Sequence, residues 1–159
     1  MTDGKIDTLG RHKRVLAVSS GGGHWEQMML LSGAFKDAKT TYATTIPGLL
    51  QRSKIADGHI LPDCNQDQFF ASIRCFISCL ALVIKQRPDV VISTGAAPGF
   101  FCLVAGRLLG AKTIWIDSVA NVEKISMSGK MAKYVAVLWL TQWQHLAKPG
   151  GPVYAGEVL

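Results

Sequence analysis

Along most of this chain apolar residues come in short unbroken runs, set apart by small-residue turns. Val15 to Val18 is apolar at every position, the pattern of a strand buried on both faces of a parallel sheet. From Trp25 to Phe35 the apolar residues Met28, Leu31 and Phe35 recur at three- and four-residue spacings, which predicts a helix. A threonine-rich strand is expected over Thr40 to Thr45, ended by Pro47-Gly48. A short helix over Leu49 to Ala56 and a short strand over His59 to Leu61 follow, then a loop in which Asp67 could cap the next helix. That helix runs from Gln68 to Gln86. Next come a strand over Asp89 to Ser93, a helix from Pro98 to Leu109 stopped by Gly110, and a strand over Lys112 to Asp117. The last elements expected are a basic helix over Ser126 to Tyr134, a strand over Val135 to Leu140, a helical turn over Thr141 to Ala147 and a strand over Pro152 to Tyr154. Strands alternating with helices imply an α/β fold: a Rossmann-like open parallel sheet with helices on both faces. Residues 1–13 read as a mobile polar tail and residues 14–159 as a single domain.

One helix is more apolar than a sheet-covering helix needs to be. Between Phe69 and Ile84 the only charge is Arg74. Sixteen residues make about 24 Å of helix, short of the roughly 20 residues that span a bilayer. Asp67, Ala71, Arg74, Ser78, Ala81 and Lys85 form one narrow small-or-polar stripe, and nearly all else is apolar. Two readings stand. The helix is central and buried on both sides, or it packs on the sheet and gives its spare face, Phe70 and Leu82 included, to a membrane interface or a partner. In the second reading Arg74, Lys85 and Arg87 meet lipid phosphates.

The turns carry the candidate chemistry. Ser19-Ser20-Gly21-Gly22-Gly23 joins the first strand to its helix, and glycine lets the backbone turn tightly and come close to a ligand. The helix beginning at His24-Trp25 aims its free N–H groups at that turn, so a phosphate or diphosphate is the natural guest. A dinucleotide fingerprint is excluded, because Glu26 stands where its third glycine belongs and Thr44-Thr45 where its acid belongs. A Walker loop is excluded too, because Lys124 precedes Gly129-Lys130 where a glycine is required. Thr94-Gly95-Ala96-Ala97-Pro98-Gly99 is a second small-residue turn at the same edge of the sheet. Two helix starts bordering one crevice are where an open α/β sheet binds its ligand.

Composition narrows the field modestly. At 159 residues, 48% hydrophobic and 18% charged, the chain is the size and make-up of one folded domain. Its net charge of +6 suits anionic lipid or a phosphorylated substrate better than nucleic acid, since no basic-aromatic run or nucleic-acid motif occurs. Cys64, Cys75, Cys79 and Cys102 lack metal-ligand spacing and the histidines are dispersed, so neither a metal nor a cofactor is expected. No signal peptide is evident, which implies reduced thiols in the cytoplasm.

S-S-G-G-G-H-W, S-T-G-A-A-P-G, I-D-S-V-A-N-V-E-K-I-S-M-S-G-K, L-T-Q-W-Q-H-L-A and G-P-V-Y-A-G-E-V-L together resemble one family over nearly all of Arg14 to Leu159. The chain is similar to the ALG-fourteen-like oligosaccharide-biosynthesis family, and within it to the bacterial exopolysaccharide PssD type. The resemblance implies the N-terminal, acceptor-side half of a MurG-like GT-B glycosyltransferase. It implies a separate donor-binding glycosyltransferase subunit that mainly binds the UDP-sugar, with UDP-glucuronic acid and UDP-N-acetylglucosamine both open as donors. The acceptor is then a sugar on a polyprenyl diphosphate, and the place of work the cytoplasmic face of the membrane, peripheral or monotopic. Eukaryotic members carry an N-terminal transmembrane helix. Met1 to Arg14 is polar here, which leaves Phe69 to Ile84 and the basic residues for attachment.

Carried over by motif, Gly21, Gly22, Gly23 and His24 match the first glycine loop, which faces the acceptor diphosphate. Gly95, Ala96 and Gly99 match the second loop, and Asp117, Asn121 and Glu123 the loop lining the cleft. An inverting transfer needs a base for the acceptor hydroxyl, and His24 is the first choice because a histidine ordinarily titrates near neutrality, with Asp117 second. Glu123 reads as a solvated charge. The apolar side chains of Pro152 to Leu159 are the expected partner contact. Two other functions remain open: a non-catalytic membrane adaptor that only recruits the catalytic subunit, and a free-standing nucleotide-sugar enzyme such as an epimerase. The failed dinucleotide fingerprint and the absence of a Tyr-x-x-x-Lys pair count against the epimerase.

Overall fold

The computed structural model describes residues 12–64 and 68–158. The tail lies outside them up to residue 11, as do Asp67 with its expected capping role and Leu159. Seven strands form one sheet: β1 (Arg14–Val18), β2 (Lys39–Thr44), β3 (Gly58–Ile60), β4 (Val90–Ser93), β5 (Lys112–Ile116), β6 (Leu138–Thr141) and β7 (Val153–Tyr154). Their order is β3-β2-β1-β4-β5-β6-β7, and every neighbouring pair is parallel. Val15 to Val18 are all buried, as an unbroken apolar run requires of a strand covered on both faces.

The helices are α1 (Gly23–Leu31), α2 (Leu49–Arg52), α3 (Phe69–Gln86), α4 (Ala96–Leu108) and α5 (Met127–Ala132). Met28 of α1 packs with Val15, Ala17, Ile92 and Ile116 on one face of the sheet. On the other, Cys75, Cys79 and Val83 of α3, Cys102 and Leu103 of α4 and Ala132 of α5 cover Leu16, Val18, Val91 and Trp115. All four cysteines are free and buried on this second face. Burial, followed by the hydrogen bond from Cys75, pushes the Cys64 thiol up to about 12. Hydrogen bonding with Cys79 and burial raise Cys75 further, so these sulfurs stay protonated and act as small apolar groups.

Several boundaries depart from the pattern, each for a local reason. The α1 helix starts at Gly23 and gives way at Ser32, whose hydroxyl donates to the Met29 carbonyl at 2.6 Å; a 3₁₀ turn completes the span to Phe35. The α2 helix is half its expected length. Lys54 turns left-handed (φ 55°) and the Ile55 N–H bonds back to the Leu50 carbonyl at 2.9 Å, which closes the helix long before Ala56. Pro98 sits two residues inside α4, in the first turn, where no N–H partner is needed. The sixth strand begins at Leu138 rather than Val135. The N–H groups of Val135 and Ala136 still bond to the Ala132 carbonyl, and pairing with β5 starts only when the Val137 N–H reaches the Thr113 carbonyl at 2.8 Å.

The α3 helix lies against the sheet along one side only. Cys75, Cys79, Leu82 and Val83 face the core, while Phe69, Phe70, Ile73, Ile77 and Ile84 face outward, Phe70 at 85% exposure. The reading of a helix buried on both sides is therefore corrected: its outer face is bare. Leu82 is corrected with it. At 7% exposure it belongs to the core, one turn on from Cys79, and cannot meet a membrane. Arg74 and Lys85 are exposed beside the bare face. By length and composition α3 could cross a membrane, but the face packed on the sheet makes it part of the domain core.

Candidate functional site

The strand order reverses between β1 and β4, and the turns that leave these two strands meet across that gap. His24, in the first turn of α1, places its Nδ1 3.0 Å from the Thr94 carbonyl oxygen just after β4. A carbonyl only accepts, so Nδ1 carries the proton and donates, which leaves the lone pair on Nε2 in the neutral ring. The Thr94 hydroxyl returns a bond to the His24 carbonyl at 2.7 Å. Beneath the ring lies Gly95, with φ 146°; a Cβ there would fall 2.4 Å from ring atoms of His24. Ala96 follows at φ 67°, a conformation costing an alanine roughly 1–2 kcal/mol, and it borders the same hollow as His24.

Two hollows flank His24. One of ≈ 320 Å³ is lined by Gly23, Glu26 and Val119, and one of ≈ 260 Å³ by Ala96, Asn121 and Ser126; His24, Ser118 and Ala120 border both. A larger hollow of ≈ 650 Å³ lies at the opposite, amino edge of the sheet. There Arg14 and Asp89 are bound to each other, with Nη2 3.1 Å from Oδ1 and the Arg14 N–H 2.8 Å from Oδ2. That pair ties the starts of β1 and β4, whereas an open α/β sheet binds its ligand at the carboxyl edge.

The expected residues fall into groups. Gly22 and Gly23 are exposed; among the described residues, chain neighbours and the helix's own backbone aside, no atom comes within 4 Å of where a Gly22 Cβ would stand, and for Gly23 only Gln27 Nε2 does, at 4.0 Å. Gly21 is covered by the Ile46 side chain, and Gly99 is pressed on Ser93 and turned away from the crevice. Asp117 is 1% exposed. Its Oδ1 accepts from Trp115 Nε1 and the Ser126 hydroxyl, and its Oδ2 from Asn121 Nδ2 (3.2 Å) and the Ser126 N–H (2.9 Å). Ser126 in turn caps α5 by accepting the Gly129 N–H. A carboxylate holding four donors organises its loop. Asn121 is half-buried at the hollow, and Glu123 is exposed. Among the described residues, no three His, Cys, Asp or Glu side chains gather as a metal site.

Sequence reasoning missed Gln27, Ser118 and Gln142. A signal existed for Gln27: it stands beside Met28 on the face of α1 that the apolar spacing turns inward, and a polar group there must find partners. Gln142 lies 115 residues away and offers no such sign.

The fold resembles that of Acinetobacter baumannii MurG, with a TM-score of 0.72 at 15% identity over 89% of this chain and 45% of MurG. A UDP-GlcNAc 2-epimerase from Neisseria meningitidis, solved bound to UDP-GlcNAc, matches with a TM-score of 0.64 at 11% identity, over 83% of this chain and 41% of that one. The fold is thus a Rossmann-like α/β domain, and it spans a little under half of each of these two proteins. The chain belongs to the family described as "Oligosaccharide biosynthesis protein Alg14 like", whose profile matches residues 62–156. The human protein named UDP-N-acetylglucosamine transferase subunit ALG14 is 24% identical over 178 residues, 91% of this chain and 82% of its own. The mouse protein of that name is 28% identical over 85 residues, 49% of this chain, and the Candida albicans one 31% over 81, 47% of this chain. These last two matches span 39% and 37% of the relatives' own lengths.

Proposed function

We propose that this chain is the acceptor-side, membrane-associated subunit of a two-component glycosyltransferase. The complex moves a sugar from a UDP-sugar to a polyprenyl-diphosphate-linked acceptor at the cytoplasmic face of the membrane. The observation that carries this reading is His24, held by Thr94 across the gap between β1 and β4 through its Nδ1, which leaves Nε2 without a part in that contact beside the open glycine turn. The acceptor diphosphate lies on Gly22 and Gly23, at the N-terminus of α1, where N–H groups and the helix dipole favour it. His24 Nε2 takes the proton of the acceptor hydroxyl as its oxygen bonds to the anomeric carbon, and the sugar–phosphate bond breaks with its electron pair leaving on UDP. Asp117 positions the loop, and Asn121 contributes through it. A separate subunit binds most of the UDP-sugar, because donor and acceptor must be held in line across a cleft of which this chain supplies one wall. Val153 and Tyr154 on the exposed edge strand β7 give that subunit a docking edge. The bare face of α3, with Arg74 and Lys85, meets the membrane.

The test is a radiolabelled UDP-sugar assay on acceptor lipid, using this chain alone, with its partner, and with the partner after His24→Ala. The isolated chain should show no turnover and the complex robust turnover. His24→Ala should cost at least about 100-fold with the complex intact, the scale of a general base. Turnover by the isolated chain would refute the half-enzyme reading, and full activity of His24→Ala would leave the chain a recruiting adaptor.

A further inference from the structure

The most complete buried polar cluster beside the crevice contains no charged side chain. Gln27 of α1 and Gln142 after β6 are 4% and 2% exposed. Gln142 Nε2 donates to Gln27 Oε1 at 2.7 Å and to the Asp117 carbonyl at 3.0 Å, while its Oε1 accepts the Val158 N–H at 3.1 Å. Gln27 Oε1 also accepts the Val119 N–H at 3.1 Å, and its Nε2 donates to the Ser118 hydroxyl at 3.0 Å. That hydroxyl oxygen accepts the Ala120 N–H at 3.2 Å. The polarity admits no alternative. Two backbone N–H groups and one backbone carbonyl have fixed senses, so each amide has a single orientation that satisfies all of them.

We propose that Gln27 and Gln142 are positioning residues that set the loop of residues 117–120 beside His24 and tie it to the segment following β7. The loop has neither helix nor strand of its own, yet Ser118 and Ala120 wall both hollows that flank His24. Its backbone is fixed by bonds to these two amides and by Trp143 Nε1, which donates to the Val119 carbonyl at 2.8 Å. Residues 155–157 are exposed, and the Val158 N–H joins that segment to Gln142. Whatever orders the segment therefore orders the wall of the crevice. The catalytic consequence rests on the function proposed above; the coupling itself does not.

The experiment uses this chain with its donor-binding partner and a short-chain polyprenyl-diphosphate sugar as acceptor. The variants are Gln27→Met, Gln142→Met, the pair together, and deletion of residues 157–159. Methionine keeps the length and removes the amide. The paired variant loses the shared amide bond only once but strands the Val119 and Val158 N–H groups and the Asp117 carbonyl together, so it should melt below each single variant by less than the sum of the two losses, and stay folded. It should nonetheless show amide exchange at Val119 and Ala120 faster by about tenfold, and an acceptor KM higher by about tenfold, the scale of one lost buried hydrogen bond. The deletion should speed exchange at Val119 to a similar degree, and adding Gln142→Met to it should change little more. Wild-type exchange in the paired variant, an unchanged acceptor KM in that folded variant, or full additivity of deletion and Gln142→Met would each overturn the proposal. If the wild-type complex transfers no sugar, the proposed function falls while the exchange measurements still decide the coupling.

Discussion

The two small-residue turns at the carboxyl edge look alike in composition and are used in opposite ways. After β4 the glycines are filled by the protein itself: His24 occupies the space over Gly95, and Ser93 the space over Gly99. After β1, Gly22 and Gly23 face open space, and Gly22 has a backbone (φ 64°, ψ −140°) that side chains rarely tolerate. A glycine that its own chain fills serves packing, whereas one left open at a helix start leaves room for a guest. The two sides of α3 repeat the contrast. Leu82 and Val83 are consumed by the core, and Phe70, Ile77 and Ile84 are surplus to it.

Substitutions that exchange the filled and open categories should separate them. The largest effect is expected at Leu82→Glu, which puts a carboxylate where Leu82 packs in the core. It should cost about 4 kcal/mol or more in denaturant unfolding, and a near-native midpoint would contradict the inward placement of this residue. Gly95→Ala combines a strained φ with a collision on the His24 ring, and should lose about 2 kcal/mol or more along with the His24–Thr94 bond. Gly99→Ala has no φ penalty but meets the Ser93 side chain, so about 1–3 kcal/mol is expected from thermal or denaturant melting.

Smaller stability changes test the open category. Chain neighbours and its own helix backbone aside, Gly23→Ala meets no atom of the described residues closer than 4.0 Å and needs no unusual φ, so its unfolding free energy should stay within about 0.5 kcal/mol. Its turnover in the complex should still fall, since the added methyl stands where the diphosphate is proposed to lie. Full activity would show that this turn holds no ligand. Gly22→Val is a poorer probe, because strain at φ 64° would lower stability by itself. Ile77→Glu lies at the quiet end, with stability again unchanged within about 0.5 kcal/mol. It should weaken cosedimentation with vesicles of phosphatidylcholine and phosphatidylserine, and undiminished binding would remove the bare face of α3 from the membrane contact.

The chain's own pattern determined the strands, their sequence and the glycine turns, because an apolar run and a glycine cluster are local signals that need no partner. It also located His24 at a helix start, since the turn and the first residues of α1 are contiguous. Tertiary structure alone decided which glycines are filled, because the group over Gly95 comes from His24, 71 positions earlier in the chain. It decided that Asp117 is spent on Trp115, Asn121 and Ser126, a matter of where three donors point once the loop has closed. The pairing of Gln27 with Gln142 required α1, whose Met28 packs over β1, β4 and β5, to bring Gln27 to the end of β6, three places from β1 in the sheet. The assignment of Leu82 to the core and Ile77 to the outside had the same origin. Periodicity fixes the inward face of a helix only when polar residues mark the other face, and α3 is apolar nearly all round, so its packing against the sheet set its orientation.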